Sequence, residues 1–300
     1  MIKKAVITCA GFGTRFLPIT KTIQKEMLPI LNRPIIDYIV DDCIAAGVEE
    51  IIFVVKESEG RLVEHYYTEY RSLKQHLIKM GKYEEYKDKL SLHGQNEFGD
   101  KIKFRFIIQK LADRYGTAIP VELAKKYLGN EESFLVFMGD DFIFNSDGKN
   151  ETKAMIELFN NSKSKGLVTC VTKPEDELHK YGIAVVKKEN GFTYLNNLVE
   201  KPETGTAPSN LANISKYIFT PEIFDIIENQ QPNADSGEYY ITDSATILAQ
   251  KNNVCVYTAD GEYLDAGNVL GWLKANLVVA NNNPELKEDL RNFIKEEFKF

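Results

Sequence analysis

The sequence has few of the residues that build metal knuckles. Its four cysteines, Cys9, Cys43, Cys170 and Cys255, lie far apart with no CxxC pair, and its four histidines, His65, His76, His93 and His179, show no ligand spacing. Both facts argue against zinc, and reduced thiols in a cytoplasm are the simplest reading. Cys9 reads as a small buried packing residue rather than a reactive thiol. No apolar run approaches the roughly 18 residues of a membrane span, so no membrane partner is expected. The opening Met1-Ile2-Lys3-Lys4-Ala5-Val6-Ile7 is interrupted too early for a signal peptide, which again points to the cytoplasm. Positive charge is also short. Lys and Arg total 37 against 44 Asp and Glu, a net charge of −7. That balance argues against a nucleic-acid partner, whose binding rests on neutralising phosphates, although a few local cations could hold a small phosphorylated ligand. Low-complexity tracts and linker-like stretches are absent as well.

What is there is an ordinary globular composition over 300 residues, enough for one large α/β domain with elaborations. The first half alternates strands and helices. Residues 5–8 form an apolar strand. Pro34 opens a helix with Ile35, Ile36, Ile39 and Val40 at helical spacing, and Gly47 is placed to end it. A β-branched run at 51–55 reads as a strand buried on both faces, and 103–109 as another, followed by a helix through 121–127. The strand at 134–138 runs straight into Gly139-Asp140-Asp141. Such alternation predicts a doubly wound, mostly parallel Rossmann-like α/β sheet with its ligand site outside the carboxyl ends of the strands. The Lys-, Glu- and Tyr-rich stretch at about 66–100 reads as a solvated helical insertion.

The second half changes character. Strands are expected at 167–172, 182–186, 194–199 and 212–219 without long helices between them. Thr220-Pro221 is expected to start a short helix with Thr220 as N-cap. Asn283-Pro284 repeats the signal before an amphipathic helix carrying Leu286, Leu290, Phe293 and Ile294 on one face. That stripe packs on its own domain or on a partner subunit, as in a homodimer or homotetramer, and the pattern does not choose. The expected organisation is a single catalytic unit, 1–300. It comprises an α/β half at 1–165, a β-rich part at 166–282 and a C-terminal helix at 283–300.

The loop Ala10-Gly11-Phe12-Gly13-Thr14-Arg15 carries the first chemical signal. Gly11 and Gly13 allow backbone N–H groups to approach a phosphate or a base edge, and Arg15 adds a planar charged fork. Lys25, ten residues on, supplies a point-like charge. The third glycine of GxGxxG is missing, which disfavours a dinucleotide-binding dehydrogenase, and the GK[ST] of a P-loop is missing too. By itself the loop could be a glycine-rich turn.

The longer stretch Ala10-Gly11-Phe12-Gly13-Thr14-Arg15-Phe16-Leu17-Pro18, followed by Lys25-Glu26-Met27-Leu28-Pro29-Ile30, resembles the signature of the sugar nucleotidyltransferases, most closely the bacterial UTP–glucose-1-phosphate uridylyltransferases. The resemblance continues in order through Gln109-Lys110, Gly116-Thr117-Ala118, Gly139-Asp140-Asp141, Tyr181-Gly182-Ile183, Val199-Glu200-Lys201-Pro202, Pro208-Ser209-Asn210-Leu211-Ala212, Ile241-Thr242-Asp243 and Leu264-Asp265-Ala266-Gly267. It implies a nucleotide-diphospho-sugar transferase fold, with 1–165 as the nucleotide-binding half and 166–282 as the sugar-phosphate-binding half, and a Mg²⁺-dependent transfer of UMP from UTP to glucose 1-phosphate. It also implies roles. Arg15 and Lys25 would grip the triphosphate. Ala10, Gly11, Gly13, Thr14, Gln109 and Gly116 would hold the nucleotide, with the Gln109 amide reading a pyrimidine edge. Asp140 and Asp265 would bind the metal, with Asp141 behind them. Gly182, Glu200, Lys201 and Asn210 would hold the sugar phosphate. Three stretches depart from the uridylyltransferase pattern. The segment 113–118 lacks a second Gly and a His. Asn268 stands where an Asp is usual. The stretch Ser236-Gly237-Glu238-Tyr239-Tyr240-Ile241-Thr242-Asp243 replaces Gly-Gly-Glu-x-Gln-Leu-Thr-Asp. These leave open the same chemistry with dTTP, CTP or another hexose 1-phosphate, and a non-catalytic nucleotide-sugar-binding protein as the competing class.

Overall fold

A computed structural model describes residues 2–57, 60–68, 71–90, 102–110, 114–128 and 131–298. Strand β1 (Lys4–Cys9) leads through a loop of short turns into helix α1 (Ile35–Ala45), then strand β2 (Glu50–Lys56) and helix α2 (Gly60–Tyr66). Every residue of β2 is buried, as its β-branched run predicts for a central strand. Helices α3 (Arg71–Lys79) and α4 (Tyr83–Leu90) occupy the expected insertion. No residue of α3 is buried, which fits a solvated excursion. The remainder of the expected insertion, 91–100, lies outside the described residues.

Strand β3 (Lys103–Gln109), helix α5 (Ile119–Leu128), strand β4 (Phe134–Met138) and the short β5 (Asp141–Phe144) complete the first half. Helix α6 (Glu151–Ser162) then leads to β6 (Gly166–Thr172), β7 (Gly182–Glu189), β8 (Phe192–Glu200) and β9 (Leu211–Phe219). Helices α7 (Glu222–Asn229) and α8 (Ile241–Lys251), strands β10 (Val254–Thr258) and β11 (Glu262–Asp265), and helices α9 (Val269–Asn282) and α10 (Lys287–Phe298) close the chain.

One nine-stranded sheet runs across both halves in the order β3-β2-β1-β4-β9-β6-β10-β8-β7. The pairs β1/β2, β1/β4, β2/β3 and β6/β10 are parallel, while β9 is antiparallel to β4 and β6, and β8 to β10 and β7. Seven of the nine strands run the same way, as a mostly parallel sheet requires, with β9 at the centre and β8 near one edge running opposite. Apolar clusters cover both faces, one centred on Phe53, Phe137 and Ile36, the other on Phe134, Tyr217 and Ile223. The four cysteines are buried and unpaired.

One local expectation is corrected. Thr220 is not a side-chain cap, because its hydroxyl donates to the Lys165 carbonyl at 2.8 Å and α7 begins after Pro221. The C-terminal stripe is only half covered by α9. Leu290 and Ile294 are partly buried, whereas Leu286 and Phe293 are exposed, as are Leu270 and Leu273 of α9. No described helix is long and apolar enough to cross a membrane.

Candidate active site

The site is assembled by strand register. In the parallel pair β1/β4, Thr8 sits beside Met138, and the Gly139 N–H donates to the Thr8 carbonyl, so Asp140 emerges next to the loop after Cys9. Across β2 and β3, Lys56 pairs with Gln109, which puts Gln109 at the same edge. The antiparallel ribbon β5/β11 sets Asp265 opposite Asp141 and thereby brings the second carboxylate in from the far end of the chain. In β7/β8, Gly182 faces Glu200. A Cβ at Gly182 would meet Glu200 Oε2 at 3.1 Å.

These edges enclose a cavity of about 690 Å³ lined by Gly11, Gly13, Thr14, Arg15, Lys25, Asp140, Asp141, Lys180, Tyr181, Gly182, Glu200, Asn213, Glu238, Tyr240 and Asp265, among others. A narrower space of about 100 Å³ adjoins it, lined by Ala10, Gly11, Lys25, Glu26, Gln109, Tyr115, Gly116 and Glu238. Two expected residues fall outside both linings. Lys201 keeps a largely exposed side chain near Glu200, with its N–H bound to the Tyr181 carbonyl. Asn210 is exposed at the entry to β9, and its carbonyl accepts from Lys173. Asn213, three positions further along and inside β9, lines the cavity instead. Lys180 and Asn213 carried no signal of their own, although Lys180 adjoins the Tyr181-Gly182 motif, whereas Glu238 and Tyr240 lie in the altered stretch 236–243.

The loop after β1 is fixed internally. Thr20 Oγ1 donates to the Gly13 carbonyl at 2.8 Å, and Gln24 Nε2 to the Cys9 carbonyl at 3.2 Å. Gly13 adopts φ 64°, where a Cβ would lie 2.9 Å from the Thr20 methyl carbon. Gly116, at φ 130°, packs so tightly on the Tyr239 backbone that a Cβ would sit 2.3 Å from it. Helix α9 grips the segment after Lys25: Trp272 Nε1 donates to the Pro29 carbonyl and the Leu31 N–H to Asn276 Oδ1, both at 2.9 Å.

Charge is arranged unevenly. Lys25 Nζ donates to Asp140 Oδ2 at 2.5 Å. Burial would raise the Asp140 carboxyl, but the Lys25 charge and hydrogen bond outweigh it and hold it below the usual range. Burial would likewise lower Lys25, and Asp140 with Glu26 raises it instead. Asp141 accepts from Lys216 Nζ at 2.5 Å and from the Tyr263 hydroxyl at 3.2 Å, so it is a structural acceptor behind Asp140. Asp265 accepts from the Gly267 N–H at 3.0 Å and from Asn268 Nδ2 at 3.2 Å. Asn268 thus does with an amide what a second carboxylate there would oppose by repulsion, while its Oδ1 caps α9 through the Gly271 N–H.

A point beside Gly267 tests whether a divalent cation fits. The Cβ that glycine lacks would lie 2.6 Å from Asp140 Oδ2 and 3.1 Å from Asp265 Oδ1, so both carboxylates face one small space. No cluster of three or more His, Cys, Asp or Glu poised on a metal occurs among the described residues. Two carboxylates suit a hard cation that draws its other ligands from phosphate oxygens and water. Arg15 and Lys180 line the same cavity without an ion-pair partner among the described residues.

Two buried amide and carboxyl oxygens stay unsatisfied at the narrow end, Gln109 Oε1 and Glu26 Oε2. Burial pushes the Glu26 carboxyl up to about 7, against the pull of Lys25. Its contribution to stability is therefore full below the ordinary carboxylate range and is lost as pH rises through about 7. Glu26→Gln should flatten that loss. Urea unfolding at pH 5 and pH 8 should show wild type weakening by on the order of 2 kcal/mol more than the variant. Equal slopes would remove Glu26 as the cause.

A mostly parallel sheet with a glycine-bearing loop, an acidic pair and free cations around one cleft defines a phosphate-handling transferase of the nucleotide-binding kind. The chain belongs to the nucleotidyl transferase family, whose match spans residues 4–282. It is 36% identical over 298 residues to a UTP–glucose-1-phosphate uridylyltransferase of Staphylococcus epidermidis and 38% identical over 298 residues to one of Staphylococcus haemolyticus. In each case 98% of both chains is covered. Among solved structures it resembles a UTP-bound UGPase of Acinetobacter baumannii, with a TM-score of 0.87, 30% identity, and 99% and 100% of the two chains covered. It also resembles a UDP-glucose pyrophosphorylase complexed with UDP-glucose, at a TM-score of 0.78 and 32% identity, covering 94% of this chain and 100% of that one.

Proposed function

We propose that the protein transfers UMP from UTP to α-D-glucose 1-phosphate, releasing pyrophosphate, and that Mg²⁺ is the cation held by Asp140 and Asp265. The observation that carries this reading is the convergence on one cleft of an amide that can read a pyrimidine, an acidic pair, the Arg15 guanidinium and the Gly182–Glu200 pair. The names of the relatives support the choice of substrates.

The base enters the narrow space, where Gln109 offers a donor and an acceptor to the imide edge. The triphosphate lies along the glycine loop, and the sugar faces Gly182 and Glu200, whose carboxylate accepts from sugar hydroxyls. Mg²⁺ supplies charge neutralisation between two anionic substrates. A phosphate oxygen of glucose 1-phosphate attacks the α-phosphorus in line, an oxygen–phosphorus bond forms, and the bond to the β-phosphate oxygen breaks with pyrophosphate as leaving group. Arg15 stabilises charge growing on that group, and Lys25, fixed by Asp140, holds the α-phosphate side. Nothing in this route needs a protein nucleophile, so orientation and charge account for the catalysis.

The reverse reaction tests the reading. UDP-glucose with pyrophosphate and Mg²⁺ is expected to yield UTP and glucose 1-phosphate. Failure to consume UDP-glucose, with another nucleotide sugar consumed instead, would replace the substrates and keep the class.

A further inference from the structure

Glu238 has no place in the reaction described above, yet it lines both the main cavity and the narrow space. A nucleotide with its base in one and its phosphates in the other must pass its ribose through the junction. Most polar groups at that junction are engaged. Lys25 and Asp140 are paired, and Thr117 Oγ1 accepts from the Ile241 N–H at 2.9 Å. The Glu238 carboxylate has no hydrogen bond or ion pair among the described residues. After burial, its charge is the main cause that raises the Tyr115 phenol, so it faces the same wall of the cleft.

Its backbone is held still. The Glu238 carbonyl accepts from the Asn233 N–H at 2.8 Å, its N–H donates to Ser236 Oγ at 3.2 Å, and the next N–H, of Tyr239, reaches the Tyr115 carbonyl at 2.9 Å. A fixed, unpaired carboxylate is an acceptor with room for two donors.

We infer that Glu238 accepts from the 2′- and 3′-hydroxyls of the bound nucleotide and makes the protein select ribonucleotides over 2′-deoxyribonucleotides. The inference rests on the nucleotidyltransferase reading for the presence of a nucleotide, and not on which base it carries. An analogue lacking the hydroxyl leaves the charged acceptor short of one bond, which costs on the order of tenfold in affinity.

The test measures binding by calorimetry and kcat/KM for UTP, dUTP and 3′-deoxy-UTP, in wild type, Glu238→Gln and Glu238→Ala. If UTP proves a poor substrate, the proposed function fails, and the best nucleoside triphosphate and its deoxy forms take the same places. Wild type is expected to prefer the ribonucleotide by about tenfold or more, with the preference falling to near one in Glu238→Ala and to an intermediate value in Glu238→Gln. Equal use of ribo- and deoxyribonucleotides by wild type would overturn the inference. So would a preference that survives in both variants, or a variant whose defect is cured by raising Mg²⁺.

Discussion

Asp140→Asn is expected to lower kcat/KM for pyrophosphate release by on the order of 10³-fold, because it removes charge from the place where two anionic substrates must meet a cation. The asparagine keeps the shape of the side chain and still accepts from Lys25, which in the present structure reaches Asp140 Oδ2 at 2.5 Å. The unfolding midpoint should therefore move little while activity collapses. Asp265→Asn should behave alike, since its carboxylate faces the same space beside Gly267. Calorimetric titration with Mn²⁺ and UTP supplies a second readout, in which each variant should bind the pair more weakly than wild type. Turnover near the wild-type level in both variants would remove the acidic pair from the mechanism.

Lys216→Met is expected to cost about 3–5 kcal/mol of stability at pH 8. Lys216 is 4% exposed and Asp141 5%, so deleting the ammonium strands a carboxylate in the core. Burial pushes Asp141 up to about 7, with Lys216 pulling the other way. Without Lys216 the carboxyl moves higher still, and protonation relieves the stranded charge at low pH. The destabilisation should thus be larger at pH 8 than at pH 5.5, as urea midpoints at the two values will read. The double variant Lys216→Met with Asp141→Leu should recover part of the loss, because a buried pair replaced by apolar groups is often near neutral. A loss independent of pH would mean that the methionine is simply misfitted.

The parts of the fold that follow from local pattern were legible in the sequence. The β-branched run of β2, the helix opened by Pro34 and the Asn283 turn before α10, where Asn283 Oδ1 accepts from the Glu285 N–H, all express nearest-neighbour chemistry. The antiparallel direction of β9 was not legible. All but two residues of that strand, Leu211 and Ser215, are fully buried, and a strand buried on both faces shows the same apolar run whichever way it points. Site residues carried by motifs at strand ends, such as Gln109, Asp140 and Glu200, reach the cleft because parallel and antiparallel registers align those ends. Lys216 was invisible because its meaning depends on Asp141, 75 positions away. Asn210 and Asn213 show the limit most plainly. Both are amides, but Asn213 sits within β9 in regular register opposite Cys170 and lines the cavity, while Asn210 stays exposed just ahead of the strand. An odd offset along an extended chain turns the two amides to opposite faces, and only the register shows which face meets the cleft.

The departures from the uridylyltransferase pattern acquire physical content in the same way. Gly116 sits against the Tyr239 backbone, so residues 114–118 of one altered stretch meet the altered stretch 236–243 beside the narrow space. Under the proposed function, substrate choice is expected to be decided where those two stretches meet, and it is the point on which that proposal stands or falls. The direct measurement is pyrophosphate release across UTP, dTTP, CTP, ATP and GTP, each combined with several hexose 1-phosphates in the presence of Mg²⁺. UTP with glucose 1-phosphate is expected to give the highest kcat/KM of the matrix, and a clear preference for any other pair would contradict the assignment.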